Sequence, residues 1–316
     1  MIDQVLPPAQ APAVSAAIFK AYDIRGIVET ALTEEAVSAI GLALGAKARA
    51  RGIGQVVVGR DGRLSGPALA RALSAGLCAA GVDVIDIGMV PTPLVYFATV
   101  LTGSGTGVAV TGSHNPPEYN GLKMMLGGAT LHGEDIRDIA ATLADPARYA
   151  ALFAATPGTV RTLDVVPDYI ARIAGEVKLA RPLKVVVDAG NGVAGAVAPA
   201  LLRALGITDL TELYCEVDGH FPNHHPDPAH PENLRDLMRE VKTRNADIGL
   251  AFDGDGDRLG VVTRSGQMIF PDRQLMLYAA DVLEKNPGAT IIYDVKCTRN
   301  LAPWIRARGG EPLMWC

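Results

Sequence analysis

Short apolar runs alternate with amphipathic stretches along most of this chain. Runs over 55–59, 83–88 and 106–110 have strand length and end in glycine or polar residues, and 121–126 continues the same pattern. Between and after them, 33–51, 68–80, 93–101 and 133–144 have helical character. The first of these helices carries Glu34 and Glu35 in its opening turn and Lys47, Arg49 and Arg51 in its last, as the helix dipole prefers. Pro67 suits the start of the second. Such alternation predicts an α/β layer. Over 146–162 the residues become small and loop-forming, which places a boundary there. The pattern then resumes with a helix over 165–177, strands over 183–188, 210–214 and 247–252, and helices over 189–205 and 231–244. Near the end it predicts strands at 268–270 and 290–294, and helices over 272–285 and 298–308, the last bent or shortened by Pro303. The final stretch, 311–316, begins as an apolar strand with no cap or polar tail after it, the pattern expected of a truncation inside a third unit.

Composition narrows the class. With 316 residues, 49% of them hydrophobic, the chain can bury the cores of two or more domains. A net charge of −5 gives no global attraction to nucleic acid or to an anionic membrane, so any phosphate binding must be local. Cys78, Cys215, Cys297 and Cys316 stand singly, as thiols in a reducing cytoplasm would. Residues 1–15, rich in Ala and Pro, read as a loose leader rather than a signal peptide, and no apolar run is long enough for a membrane span.

Two stretches carry candidate chemistry. After Val108-Ala109-Val110 comes Thr111-Gly112-Ser113-His114-Asn115-Pro116-Pro117, where the prolines forbid a helix and should leave Ser113 on a tight loop. A serine there is either part of an inert turn or a nucleophile and phosphate carrier. His114, Lys123 and backbone N–H groups could serve a phosphoserine, which carries nearly two negative charges. Neither a Ser-His-Asp spacing nor a GxSxG elbow is present, which disfavours acyl transfer. Far along the chain, Asp253-Gly254-Asp255-Gly256-Asp257-Arg258 follows a short strand. Extended backbone would put its carboxylates on one side, while the glycines allow the chain to curl round an ion. An EF-hand fails because Arg258 and Arg264 stand where its glycine and glutamate belong, so magnesium is the expected ion.

Other features remain open on the residues alone. Arg25, before what reads as a glycine turn at Gly26, is either a solvated charge or an anion clamp, and Lys296 beyond a strand end is similarly placed. Gly190, Gly192 and Gly195 form GxGxxG after a strand, but no clear ribose-binding acid follows, and close packing demands glycines equally well. Four histidines within 218–233 invite zinc, yet the prolines and the absence of cysteine favour a rigid loop near the site.

Taken together, Tyr22-Asp23-Ile24-Arg25-Gly26, the serine loop, the aspartate loop and Asp294-Val295-Lys296-Cys297-Thr298-Arg299 closely resemble the α-D-phosphohexomutases, specifically the bacterial phosphomannomutase/phosphoglucomutase group. The resemblance runs from about Phe19 to Cys316 and implies successive mixed-sheet α/β domains, the third incomplete and a fourth absent. It divides the chain into a phosphoserine domain at 16–155, a metal-binding domain at 156–265 and the beginning of a sugar-recognition domain at 266–316. It implies a phosphoserine at Ser113 and Mg²⁺ on Asp253, Asp255, Asp257 and the Ser113 phosphate. Charge stabilisation would fall to Arg25, His114, Lys123 and Arg258, with Tyr22 and Lys296 lining the cleft. The implied reaction interconverts hexose 1- and 6-phosphates through glucose or mannose 1,6-bisphosphate, in a cytoplasmic monomer whose partner is a phosphosugar rather than nucleic acid or membrane. Family members carry beyond this point a sugar-reading loop and a phosphate-gripping fourth domain, so a chain ending at Cys316 is expected to turn over poorly. Phosphoglucosamine mutase and a non-catalytic Mg²⁺/phosphosugar-binding fragment are the alternatives; Thr-Gly before Ser113 suits the former less well.

Overall fold

The computed structural model describes residues 12–315, so the leader expected at 1–15 lies largely outside the described residues, as does Cys316. The first unit contains β1 (Ile24–Ile27), α1 (Glu34–Ala50), β2 (Gln55–Arg60), α2 (Gly66–Ala79), β3 (Asp83–Met89), α3 (Thr92–Leu101), β4 (Gly107–Val110), β5 (Tyr119–Leu126), the short β6 (Ala129–Thr130), α4 (Glu134–Ala144), α5 (Pro146–Ala150) and β7 (Val160–Thr162). Its sheet runs β1-β5-β4-β2-β3-β7, with β6 beside β5. β4, β2, β3 and β7 are parallel, and β5 runs antiparallel to both of its neighbours, β4 and β1. Val56, Val58, Val84, Val108 and Val110 face α1 and α2 across one core, while Val57, Ile85 and Ala109 pack with α3 on the other side. Strands buried on both faces explain why their sequence is continuously apolar rather than alternating.

The second unit contains α6 (Val166–Glu176), β8 (Lys184–Asp188), α7 (Ala198–Ala204), β9 (Asp209–Leu213), α8 (Arg235–Arg244), β10 (Ile248–Phe252), β11 (Leu259–Thr263) and β12 (Met268–Ile269), with sheet order β12-β11-β10-β8-β9. α9 (Pro271–Lys285), β13 (Thr290–Asp294), α10 (Leu301–Arg306) and β14 (Glu311–Trp315) follow, β13 and β14 pairing in parallel.

Several expectations need correction. Gly26 is no turn: it lies in β1 opposite Asn120 of β5, against Ile18. The stretch taken as a boundary supplies β7, an edge strand of the first sheet. The helix expected to open at 189 is a 3-10 turn, Val193–Ala196, followed by α7, and 231–244 likewise begins as a 3-10 turn, Pro231–Leu234. In the first, Pro199 lacks the N–H that a continuous ladder through it would need. β11 was missed altogether, because the charges of the preceding loop hid the short run Leu259-Gly260-Val261-Val262. Pro303 does shorten its helix, to the six residues of α10.

Candidate active site

β4 and β10 each end, at the carboxyl edge of their own sheet, in one of the two loops singled out above. Between Val110 and Tyr119 the backbone folds tightly: Asn115 N–H donates to the Gly112 carbonyl at 2.9 Å, and Tyr119 N–H to that of Pro116 at 3.0 Å. Ser113 sits in this loop with φ of 50°, a left-handed conformation costing a non-glycine residue about 1–3 kcal/mol. The expected tight loop is therefore present, but its serine is nearly buried, at 3% exposure. Its N–H donates to Thr111 Oγ1 at 2.8 Å.

The aspartate loop meets it. Ser113 Oγ donates to Asp253 Oδ2 at 3.1 Å, bridging positions 140 apart in sequence. Gly254 lies so close to the Ser113 carbonyl that a Cβ there would strike it. The extended path considered for 253–257 gives way to a turn, closed by Gly256 N–H on the Asp253 carbonyl at 3.1 Å with Gly256 at φ of 72°. The turn still gathers the carboxylates: one oxygen of each of Asp253, Asp255 and Asp257 lies within 4.8 Å of the others.

These acids are not equivalent. Asp253 is fully buried, and burial, followed by the charges of Asp255 and Asp257, pushes its carboxyl well above the ordinary range. Its Oδ1 takes the N–H groups of Asp257 and Arg258, both at 3.1 Å. Burial would raise Asp255 too, but Lys123 overcomes it and holds this carboxyl low. The Lys123 ammonium bridges Asp255 at 2.7 Å and Asp257 at 2.6 Å. Burial pulls that ammonium down, and the two carboxylates more than restore it. Thr92, at the start of α3, donates to Asp255 Oδ2 at 2.5 Å. Asp255 Oδ1 is buried with no partner among the described residues. An orphan carboxylate oxygen among three gathered carboxylates is the donor set a hard divalent cation requires.

The cationic side chains are distributed unevenly. His114 Nδ1 lies 3.4 Å from Ser113 Oγ, and burial first, then the charges of Arg258 and Arg25, lower its pKa. Arg25 pairs with Asp23 at 2.5 Å. The Arg258 side chain lines an open cavity of about 490 Å³ with Pro228, Gly260 and Tyr278. Tyr22 is 66% exposed, and Lys296 is exposed and pairs with Asp294 at 3.3 Å, so neither joins the serine and aspartates here.

The rival motifs support this centre. Gly192 packs on Gly254, where a Cβ would come within 3.0 Å of its backbone, and Val193 N–H donates to the Gly254 carbonyl at 3.2 Å. The GxGxxG turn thus cradles the aspartate loop. His224 Nε2 approaches both oxygens of buried Asp188, at 3.0 and 3.1 Å, which ties down the histidine-rich loop. Sequence reasoning missed Asp61 and Arg63, a buried ion pair at 3.2 Å under the serine loop. The turn-forming Arg60-Asp61-Gly62-Arg63 run carries no sign that both charges point inward.

Comparison with known proteins agrees with this architecture. Models of the phosphoglucomutase/phosphomannomutase α/β/α domain I and domain II match residues 16–149 and 167–266. A phosphoglucomutase of Neisseria gonorrhoeae is 56% identical over 297 residues, 94% of this chain and 64% of that protein. A phosphomannomutase/phosphoglucomutase of Pseudomonas aeruginosa is 53% identical over 307 residues, 97% of this chain and 65% of its own length. The crystal structure of a family protein from Burkholderia thailandensis, 56% identical, superimposes with a TM-score of 0.90 over 96% of this chain and 67% of that one. The chain therefore spans about 64% of the length of the curated relatives it matches. With both domain models matched in order, and with the serine and aspartate loops meeting where those domains touch, the chain belongs to the phosphoglucomutase/phosphomannomutase family.

Proposed function

We propose that this chain carries the phosphoryl-transfer centre of a phosphohexomutase, interconverting the 1- and 6-phosphates of mannose, glucose or both. The observation that carries the reading is the hydrogen bond from Ser113 Oγ to Asp253, which brings a loop serine to a carboxylate cluster suited to a cation. In the forward step a free sugar hydroxyl attacks the phosphorus of phosphorylated Ser113. The new P–O bond forms as the P–Oγ bond breaks, the hydroxyl gives up its proton, and Ser113 Oγ takes one up. The product is the hexose 1,6-bisphosphate, which turns over and passes its original phosphoryl group back to Ser113.

Magnesium held by Asp253, Asp255, Asp257 and a phosphoserine oxygen would neutralise charge on the transferring group. His114, with Nδ1 3.4 Å from Ser113 Oγ, can carry the proton there. Lys123, Arg25 and Arg258 supply fixed positive charge around the transfer, with Tyr22 and Lys296 as outer substrate contacts. A phosphoserine unit that includes β7, a metal-binding unit from α6 to about 265 and the start of a sugar-recognition unit at 266–316 belong to the same proposal, as do a hexose 1,6-bisphosphate activator, a monomeric state and a cytoplasmic setting. Among the described residues no helix is long and apolar enough to cross a membrane.

Intact mass before and after exposure to glucose 1,6-bisphosphate and Mg²⁺ tests the reading. One phosphoryl group is expected on the wild-type chain and none on Ser113→Ala. A wild-type chain that never carries phosphate removes the catalytic assignment and leaves a phosphosugar-binding module.

A further inference from the structure

Arg63 is among the most deeply enclosed side chains of the molecule, at 2% exposure, although arginine is rarely buried whole. Its guanidinium is fully committed. Nε donates to Asp61 Oδ2 at 3.2 Å, Nη1 to the carbonyls of Pro116 at 2.6 Å and Tyr119 at 2.9 Å, and Nη2 to those of Ser113 at 2.9 Å and Asn115 at 2.6 Å. Every N–H of the fork therefore has an acceptor, and four of those acceptors are backbone carbonyls of the serine loop. One face of the guanidinium lies against Gly112, where any Cβ would collide with it. The ring of Phe221, from the second unit, lies 5.3 Å from the guanidinium carbon.

Asp61 completes the arrangement from the same turn. Its Oδ2 accepts Thr111 Oγ1 at 2.8 Å and Gly112 N–H at 3.1 Å, and Thr111 Oγ1 in turn accepts the N–H of Ser113. Donors and acceptors of the loop backbone are thus gripped from below by one acid and one base, while Ser113 Oγ is left to face Asp253.

Resting on the phosphohexomutase reading, we infer that Arg63 is a positioning residue for phosphoryl transfer. It converts the loop's carbonyls into a fixed frame that holds Ser113 in its left-handed conformation, with Oγ aimed at the aspartate loop. It touches no reacting atom and acts through the backbone of Ser113. A lysine cannot replace it, because an ammonium has fewer donors and no planar fork to span carbonyls on both sides.

The test compares wild type, Arg63→Lys and Arg63→Met in the full chain, measuring the rate and half-saturation of Ser113 phosphorylation by glucose 1,6-bisphosphate per folded molecule. Amide hydrogen exchange over 111–119 is followed in parallel. The maximal rate should fall at least tenfold in both variants, with half-saturation changed by less than threefold, and exchange should rise in this loop well beyond the rest of the first sheet. A purely structural role would lower the folded fraction and leave the rate per folded molecule at the wild-type value, which would overturn the inference. If neither variant folds, Phe221→Leu and Thr111→Val, which loosen the same frame from its two sides, must show the rate loss and loop exchange instead, or the inference falls. A wild-type chain that accepts no phosphate sinks the mutase reading; unchanged loop exchange in the variants sinks the frame itself.

Discussion

Ser113 gains its orientation from a backbone conformation that few side chains adopt, so its neighbours must hold what the residue itself disfavours. Buried charges do similar work elsewhere in the site. His224 faces the Asp188 carboxylate with one ring nitrogen and the His225 carbonyl with the other, at 3.0 Å, an arrangement that suits the imidazolium. Burial would lower its pKa, but the hydrogen bond and charge of Asp188 outweigh it and raise the group above its ordinary 6.5. A raised folded pKa means stability that is fully present below 6.5 and lost as pH rises through the folded value. His224→Gln is therefore expected to cost about 1–2 kcal/mol near pH 6 and less near pH 9. Melting curves of both proteins across that range check it, and a gap that widens with pH contradicts it. Asp61→Asn leaves Arg63 buried beside a neutral partner, and a loss of about 3–5 kcal/mol in denaturant unfolding is expected.

At the scale of elements, the two loops are joined by backbone as much as by side chains. Gly192→Ala should force the GxGxxG turn away from Gly254, destabilising the chain by about 1–3 kcal/mol and weakening divalent-ion binding, measured by calorimetry. Unaltered ion affinity in a folded variant would show that the cradle does not shape the aspartate loop. The sequence made most elements legible where apolar periodicity and caps coincide: Thr33 accepts the Ala36 N–H at 3.2 Å and α1 begins there. The serine and aspartate loops were legible because prolines and alternating glycines leave few alternatives. What was hidden lay in contacts between distant segments. β11 depends on pairing with β10, and the inward turn of Arg63 depends on carbonyls some fifty positions away. Local composition holds no trace of the Arg63 contacts and only a short apolar run, Leu259-Gly260-Val261-Val262, for β11.

For the whole molecule, the centre belongs to neither unit alone: Ser113, His114, Lys123 and Thr92 come from the first and the aspartates from the second. A divalent ion that binds the folded centre should therefore raise the melting temperature of the chain. At a hundredfold excess over its dissociation constant, Mg²⁺ is expected to add about 2.7 kcal/mol, reversed by chelator and absent in Asp255→Asn. An equal shift in that variant would place the ion elsewhere. The boundary between the units has an unusual texture. Gly219 lies against the backbone of Leu64 and Gly254 against that of Ser113, so at these two points main chain rests directly on main chain, while Gly62 meets the Val217 side chain. Where main chain meets main chain no flexible side chain is left to let the surfaces slide, and the ion pairs of Lys123 with Asp255 and Asp257 pin the same seam. The two units should consequently travel as a single anvil. If a bound bisphosphate must swing end over end between two strokes of the reaction, the room for that swing has to open on some other face, leaving serine and aspartates in register throughout.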